Sequence, residues 1–143
     1  MTNLIISPAT AKLNLSESMF HKYARQYLEC RKSFTVESSS PVPYFLLSRA
    51  IELELKARLL SFKTRAELKK HGHNLKKLYD LLLIEEKILN KFEYEELVKA
   101  SEIYDIPNKG FEYVSVYDAM TRLESFPDLL ILNNIAEKLI CNT

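Results

Sequence analysis

Apolar positions in "NLSESMFHKYARQYLECRKSF" fall at Met19, Tyr23, Tyr27, Cys30 and Phe34, at steps of four, four, three and four, so they predict one continuous stripe on a helix. Asn14, with Glu17 three residues on, is a capping-box arrangement that places the helix start there and leaves 1–13 as an N-terminal tail. "TVESSSPVP" is polar, rich in serine and closed by two prolines, which makes it a loop. From Pro43 to about Phe62 the pattern has two stripes. Leu46, Ala50, Leu53, Ala57 and Leu60 form one; Ile51, Leu55, Leu59 and Phe62 form the other. Two polar seams divide them, Arg49, Glu52 and Lys56 on one side and Glu54, Arg58 and Ser61 on the other. A helix with two apolar faces needs neighbours on both, so this second helix is predicted to be long and either central to the bundle or shared between the bundle and a second subunit.

Thr64 with Glu67 is a second possible capping box, for a short helix that Gly72 would stop. His73 or Asn74 then caps a helix whose Leu75, Leu78, Tyr79 and Leu82 follow helical spacing. Another helix runs from about Phe92 to Tyr104 and ends before Pro107. Residues 106–124 have no sustained period and are expected to form an irregular crossover, after which Ser125, Pro127 and Asp128 start a last helix through Ile140. The expectation is an all-α, up-and-down bundle of about five helices, occupying 1–143 as a single domain.

Composition agrees with a helical core. At 143 residues with 47% hydrophobic and 27% charged content, the chain is an ordinary globular domain that buries roughly 70% of its unfolded surface. Only two glycines and five prolines are present, too few for a fold built on tight hairpins. Cys30 and Cys141 form no CxxC or other metal-ligand spacing, which fits reduced thiols and a cytoplasmic location. The most apolar window, "PYFLLSRAIELELKARLL", is interrupted by Arg49, Glu52, Glu54, Lys56 and Arg58, so no membrane span or membrane partner is expected. The net charge of +1 hides an uneven distribution: Lys63 to Lys77 carries six cations against Glu67, and Glu85 to Asp105 carries seven acids against three lysines.

Three stretches, "SRAIELELKARLL" (Ser48 to Leu60), "HGHNLKKLYDLL" (His71 to Leu82) and "IYDIPNKGFEYV" (Ile103 to Val114), followed by the closing helix, resemble the HEPN superfamily of nucleotide-binding helical domains. The likeness covers most of the chain through short motifs. It implies a HEPN-like bundle that often dimerises, so a homodimer is the expected assembly. It also implies either an interaction or regulatory module binding nucleotide, RNA or a protein partner, or a metal-independent endoribonuclease of toxin or defence type. In catalytic members an Arg lies four to six residues before a His, so that His moves a proton at the 2′-oxygen or leaving oxygen while Arg holds the phosphate charge. Arg65 and His71 are the match here. That family pair sits late in the chain, however, and the late segment "NKGFEYVSVYDAMTRL" has no histidine.

Other residues carry separate expectations. His73 falls at the family-like corner, where its ring is expected to close the turn, donating to a backbone carbonyl or to a carboxylate such as Glu52. Glu52 and Lys56 form an i, i+4 pair and, with His73, Tyr104, Lys109 and Tyr113, make a candidate polar cluster at one end of the bundle. Lys63, Lys69, Lys70, Lys76 and Lys77 are candidate anion contacts, weighed against a solvated helix surface. Glu67 and His71 stand four apart but lack a third ligand, so no metal and no cofactor is expected.

Overall fold

The structure is a computed structural model that describes residues 8–33, 40–105 and 126–141, with the side chains of the first helix described from residue 17 onward. Six α-helices and one 3-10 turn make up the regular structure of these residues. In chain order they are α1 (Pro8–Ser33), α2 (Val42–Leu59), α3 (Arg65–Lys69), α4 (Leu75–Asp80), the 3-10 turn Ile84–Glu86, α5 (Lys91–Tyr104) and α6 (Leu129–Cys141). The segments begun by Thr64 and Asn74 are separate short helices, as their caps predict, which makes six among the described residues where a bundle of about five was expected. The crossover expected over 106–124, with Lys109 and Tyr113, lies outside the described residues. No described helix is long and apolar enough to cross a membrane.

Helix starts follow local chemistry. Thr64 Oγ1 accepts the Glu67 N–H at 3.2 Å, Asn74 Oδ1 accepts that of Lys77 at 3.0 Å, and Asp128 Oδ1 accepts that of Ile131 at 3.0 Å. Asn90 and Glu93 form a reciprocal capping box, each side chain accepting the other's backbone N–H at 2.8 and 2.9 Å. At the other end of the chain the prediction is corrected. The first helix begins at Pro8, not Asn14, because proline suits a first turn and the alanines at 9 and 11 extend it. Gly72 sits at φ 53°, the left-handed conformation that lets the chain turn from α3 into α4. Asp105 at the end of α5 secures that corner by accepting the His73 N–H at 3.1 Å.

α2 is the central element, with α1, α4, α5 and α6 all packed against it. Leu47, Ala50, Ile51, Leu55 and Leu59 are wholly buried, and Leu53 and Ala57 nearly so, placing both of its predicted apolar stripes in contact with neighbours, except that the helix ends at Leu59 and Phe62, expected to close the second stripe, is 44% exposed. Leu75, Leu78, Tyr79 and Leu82 enter the same core, as their spacing predicts. The stripe on α1 behaves differently: Ala24 and Leu28 are the buried positions, whereas Met19 and Tyr23 stay 37% and 38% exposed and Cys30 is exposed. Two registers competed on that helix. The winner puts small Ala24 inward for close backbone approach and leaves a tyrosine, with its polar hydroxyl, at the surface.

Candidate functional site

Glu52 is the organising residue of the first polar cluster. Its side chain has no solvent exposure and yet collects four partners from three segments. From its own helix, Lys56 Nζ approaches Oε2 at 2.7 Å and Arg49 NH1 approaches Oε1 at 3.0 Å, the two cations flanking it by three and four residues. From α5, the Tyr104 hydroxyl donates to Oε1 at 2.5 Å. From the α3–α4 corner, His73 Nδ1 lies 2.8 Å from Oε2, and its ring meets that of Tyr104 edge-on at 5.6 Å between centroids. Burial alone would disfavour the charged form of Glu52, but Lys56, the Tyr104 hydroxyl and Arg49 outweigh it and hold the carboxyl below its usual range. Burial and then the Glu52 charge push the Tyr104 hydroxyl strongly upward, so it acts as a donor and keeps its proton.

Of the six residues expected in this cluster, the described structure brings together Glu52, Lys56, His73 and Tyr104. Arg49 joins them. Its signal was the i, i+3 spacing to Glu52 in the same polar seam, which the cluster expectation passed over. Both carboxylate oxygens are occupied by donors, so Glu52 is ill suited to abstract a proton from a substrate. What the arrangement does is fix two cationic side chains whose other sides face outward.

Those outward sides open onto two adjoining clefts that share Phe20 of α1 as a wall. Lys56 lines the smaller, of about 160 Å³, with Arg65, Leu68 and Lys69 of α3. Arg49 lines the larger, of about 540 Å³, with Tyr23, Tyr27 and Cys30 of α1 and Leu53 of α2. The expected cationic run is thereby divided. Arg65 and Lys69 converge on Lys56, Lys63 lies 4.0 Å from Glu67 and over the Phe62 ring, and Lys76 is paired with Asp80 at 2.9 Å. Lys70 and Lys77 are exposed. Arg65 is an exposed residue of the first turn of α3 and His71 a half-buried one beyond its end, and no hydrogen bond or ion pair joins their side chains among the described residues.

A second buried carboxylate, Glu54, faces the other seam, and its histidine partner had no signal in the sequence, standing 33 residues away. His21 Nδ1 contacts Oε1 of Glu54 and lies 3.0 Å from Oε2. Arg25 Nε donates to His21 Nε2 at 3.1 Å, which places the ring proton on Nδ1, facing Glu54. Arg58 Nε is 3.7 Å from Glu54 Oε2, while its NH1 reaches Glu86 at 3.2 Å and its NH2 donates to the Leu139 carbonyl of α6. Burial pushes the Glu54 carboxyl up to about 8, against the pull of Arg58 and Arg25. Burial, Arg25 and Arg58 in turn lower His21, so the pair is close to neutral and ties α1 to α2 as a hydrogen bond between weakly charged partners. Compared with family models, curated proteins and solved structures, the chain matches none.

Proposed function

We propose that this chain is a HEPN-like helical domain, a homodimeric interaction or regulatory module, that binds single-stranded RNA or a nucleotide through its phosphates. The observation that carries this reading is the cleft of Lys56, Arg65 and Lys69, which has three cations and, among the described residues, no acid in its lining. Lys56 is held there by the buried Glu52, so its rotamer freedom is already spent before a ligand arrives. The corner that closes over Glu52 through His73 is the same "HGHNL" stretch that carries the family likeness, which supports the HEPN-like assignment. Binding is favoured over the ribonuclease alternative because the cations that converge on one cleft are Lys56, Arg65 and Lys69, while His71 is not among its lining residues.

Fluorescence anisotropy with a labelled single-stranded RNA tests the proposal. Three phosphate contacts predict that the logarithm of the binding constant falls against that of salt concentration with a slope of about −2. The double substitution of Arg65→Ala and Lys69→Ala flattens that slope, and the RNA is recovered uncut in EDTA. Absence of binding at low salt sinks the proposal. Cleavage that His71→Ala abolishes reinstates the ribonuclease.

A further inference from the structure

We infer that the larger groove between α1 and α2 is a seat for an aromatic ring, a nucleobase of the same ligand whose phosphate occupies the cationic cleft. The inference rests on the phosphate-binding proposal and adds what lies beside the phosphate. Three observations carry it. First, α1 displays an apolar stripe that the core uses only in part: Tyr27 packs half-buried against it, but Met19 and Tyr23 are each more than a third exposed and Cys30 is exposed. Second, the groove under that stripe measures about 540 Å³, within the roughly 300–1,000 Å³ typical of sites that enclose a small molecule. Third, its one charged lining residue among the described residues is Arg49, which Glu52 holds and whose flat guanidinium can lie against a ring or bond to its edge.

The two clefts are parts of one surface. Phe20 lines both, and Arg49 and Lys56, seven residues apart on α2, are separated by about 10 Å of helix rise. One short oligonucleotide spans that distance. An aromatic face supplied by Tyr23 and Tyr27, an arginine at the wall and lysines a step away combine stacking with phosphate capture, the pairing used to hold single strands without base-specific hydrogen bonds. A long-chain lipid would suit the groove less well, because Gln26 and Arg49 line it.

The test compares two labelled probes of equal length and charge, a short oligoadenylate and an oligomer of the same backbone with abasic sites. Wild-type protein is expected to bind the base-bearing probe about tenfold more tightly. Tyr23→Ala is expected to bring it down to the abasic value without changing the salt slope, while Tyr23→Phe, which keeps the ring, retains the preference. Tyr23 is well exposed, so neither substitution opens the core, and circular dichroism checks that the helices persist. Equal affinity for the two probes, with the salt slope intact, overturns the ring seat and leaves phosphate binding standing. Failure to bind either probe removes both. If light scattering shows that Tyr23→Ala turns a dimer into a monomer while the probe preference is unchanged, a second copy of the chain covers the groove and the inference falls.

Discussion

Glu52 and Glu54 stand two residues apart on α2, both with almost no side-chain exposure, and their carboxyls are driven in opposite directions. Two residues turn about 200° around a helix, so they face different neighbours. Glu52 meets Lys56 at 2.7 Å, Arg49 at 3.0 Å and a tyrosine hydroxyl at 2.5 Å, short contacts that reward the charged form. Glu54 meets a histidine whose charged form is disfavoured by burial and then by Arg25, its nearest cation among the described residues is 3.7 Å away, and Arg58 divides its donors between Glu86 and the Leu139 carbonyl. Equal burial therefore gives unequal charge. The difference is whether cationic donors at hydrogen-bond distance replace the lost water: Glu52 has two, whereas the donor that touches Glu54 is an imidazole.

Removing the first carboxylate tests this most severely. Glu52→Ala leaves Arg49, Lys56 and the buried Tyr104 hydroxyl without their common acceptor, and breaking a buried ion pair in this way costs about 3–5 kcal/mol. Urea denaturation is the measurement, with the midpoint expected to fall sharply. A loss below about 1 kcal/mol means that the Glu52 charge is not the support of its neighbours, and the contrast with Glu54 collapses.

Much of this arrangement was legible in the sequence, and the parts that were not share a cause. The polar seams of α2, the Gly72 corner and the capping of α3, α4 and α6 are all local, set by residues within about one turn of each other. The approach of His73 to Glu52 was one of two expectations for that ring, the other being a backbone carbonyl, and the structure gives the carboxylate. The inward face of α1 was not: its Tyr23 stripe and its Ala24, Leu28 register have the same period, and only packing against α2 decides between them. His21 with Glu54, and Arg58 with Leu139 of α6, are separated by 33 and 81 residues, and no pattern along the chain encodes such pairings.

The pH response is a milder way to sharpen the comparison. Glu54 has a folded pKa of about 8, above the ordinary 4.5, so the native state binds its proton more tightly than the unfolded chain does. Its contribution is fully present below the ordinary value and is lost as pH rises toward 8. Glu52 is depressed, so its contribution is present above its ordinary value of 4.5 and is lost as pH falls through its lower folded pKa. His21 is lowered from 6.5 and acts below that value, so the window from about pH 7 to about pH 9 isolates Glu54. Across that window the wild-type melting temperature is expected to fall by a few degrees, and Glu54→Gln, neutral throughout, is expected to flatten the curve and to be the more stable protein at its alkaline end. A wild-type curve that is already flat there removes the claim that Glu54 is protonated in the fold.

The smallest effect distinguishes members within the Glu52 cluster. His73 is 51% exposed and supplies one of four partners, so water can replace its ring when it is removed. His73→Ala is expected to cost no more than about 1 kcal/mol, the ordinary value of a half-solvated pair, and to leave RNA binding in the proposed cleft unchanged. The main-chain N–H of residue 73 keeps its bond to Asp105 in the variant, so the corner itself persists. Thermal melting measures the first expectation and anisotropy the second. A loss as large as that of Glu52→Ala makes the exposed histidine a principal support of the cluster, and solvent-shielded donors from Arg49, Lys56 and Tyr104 then no longer explain why Glu52 is charged and Glu54 is not.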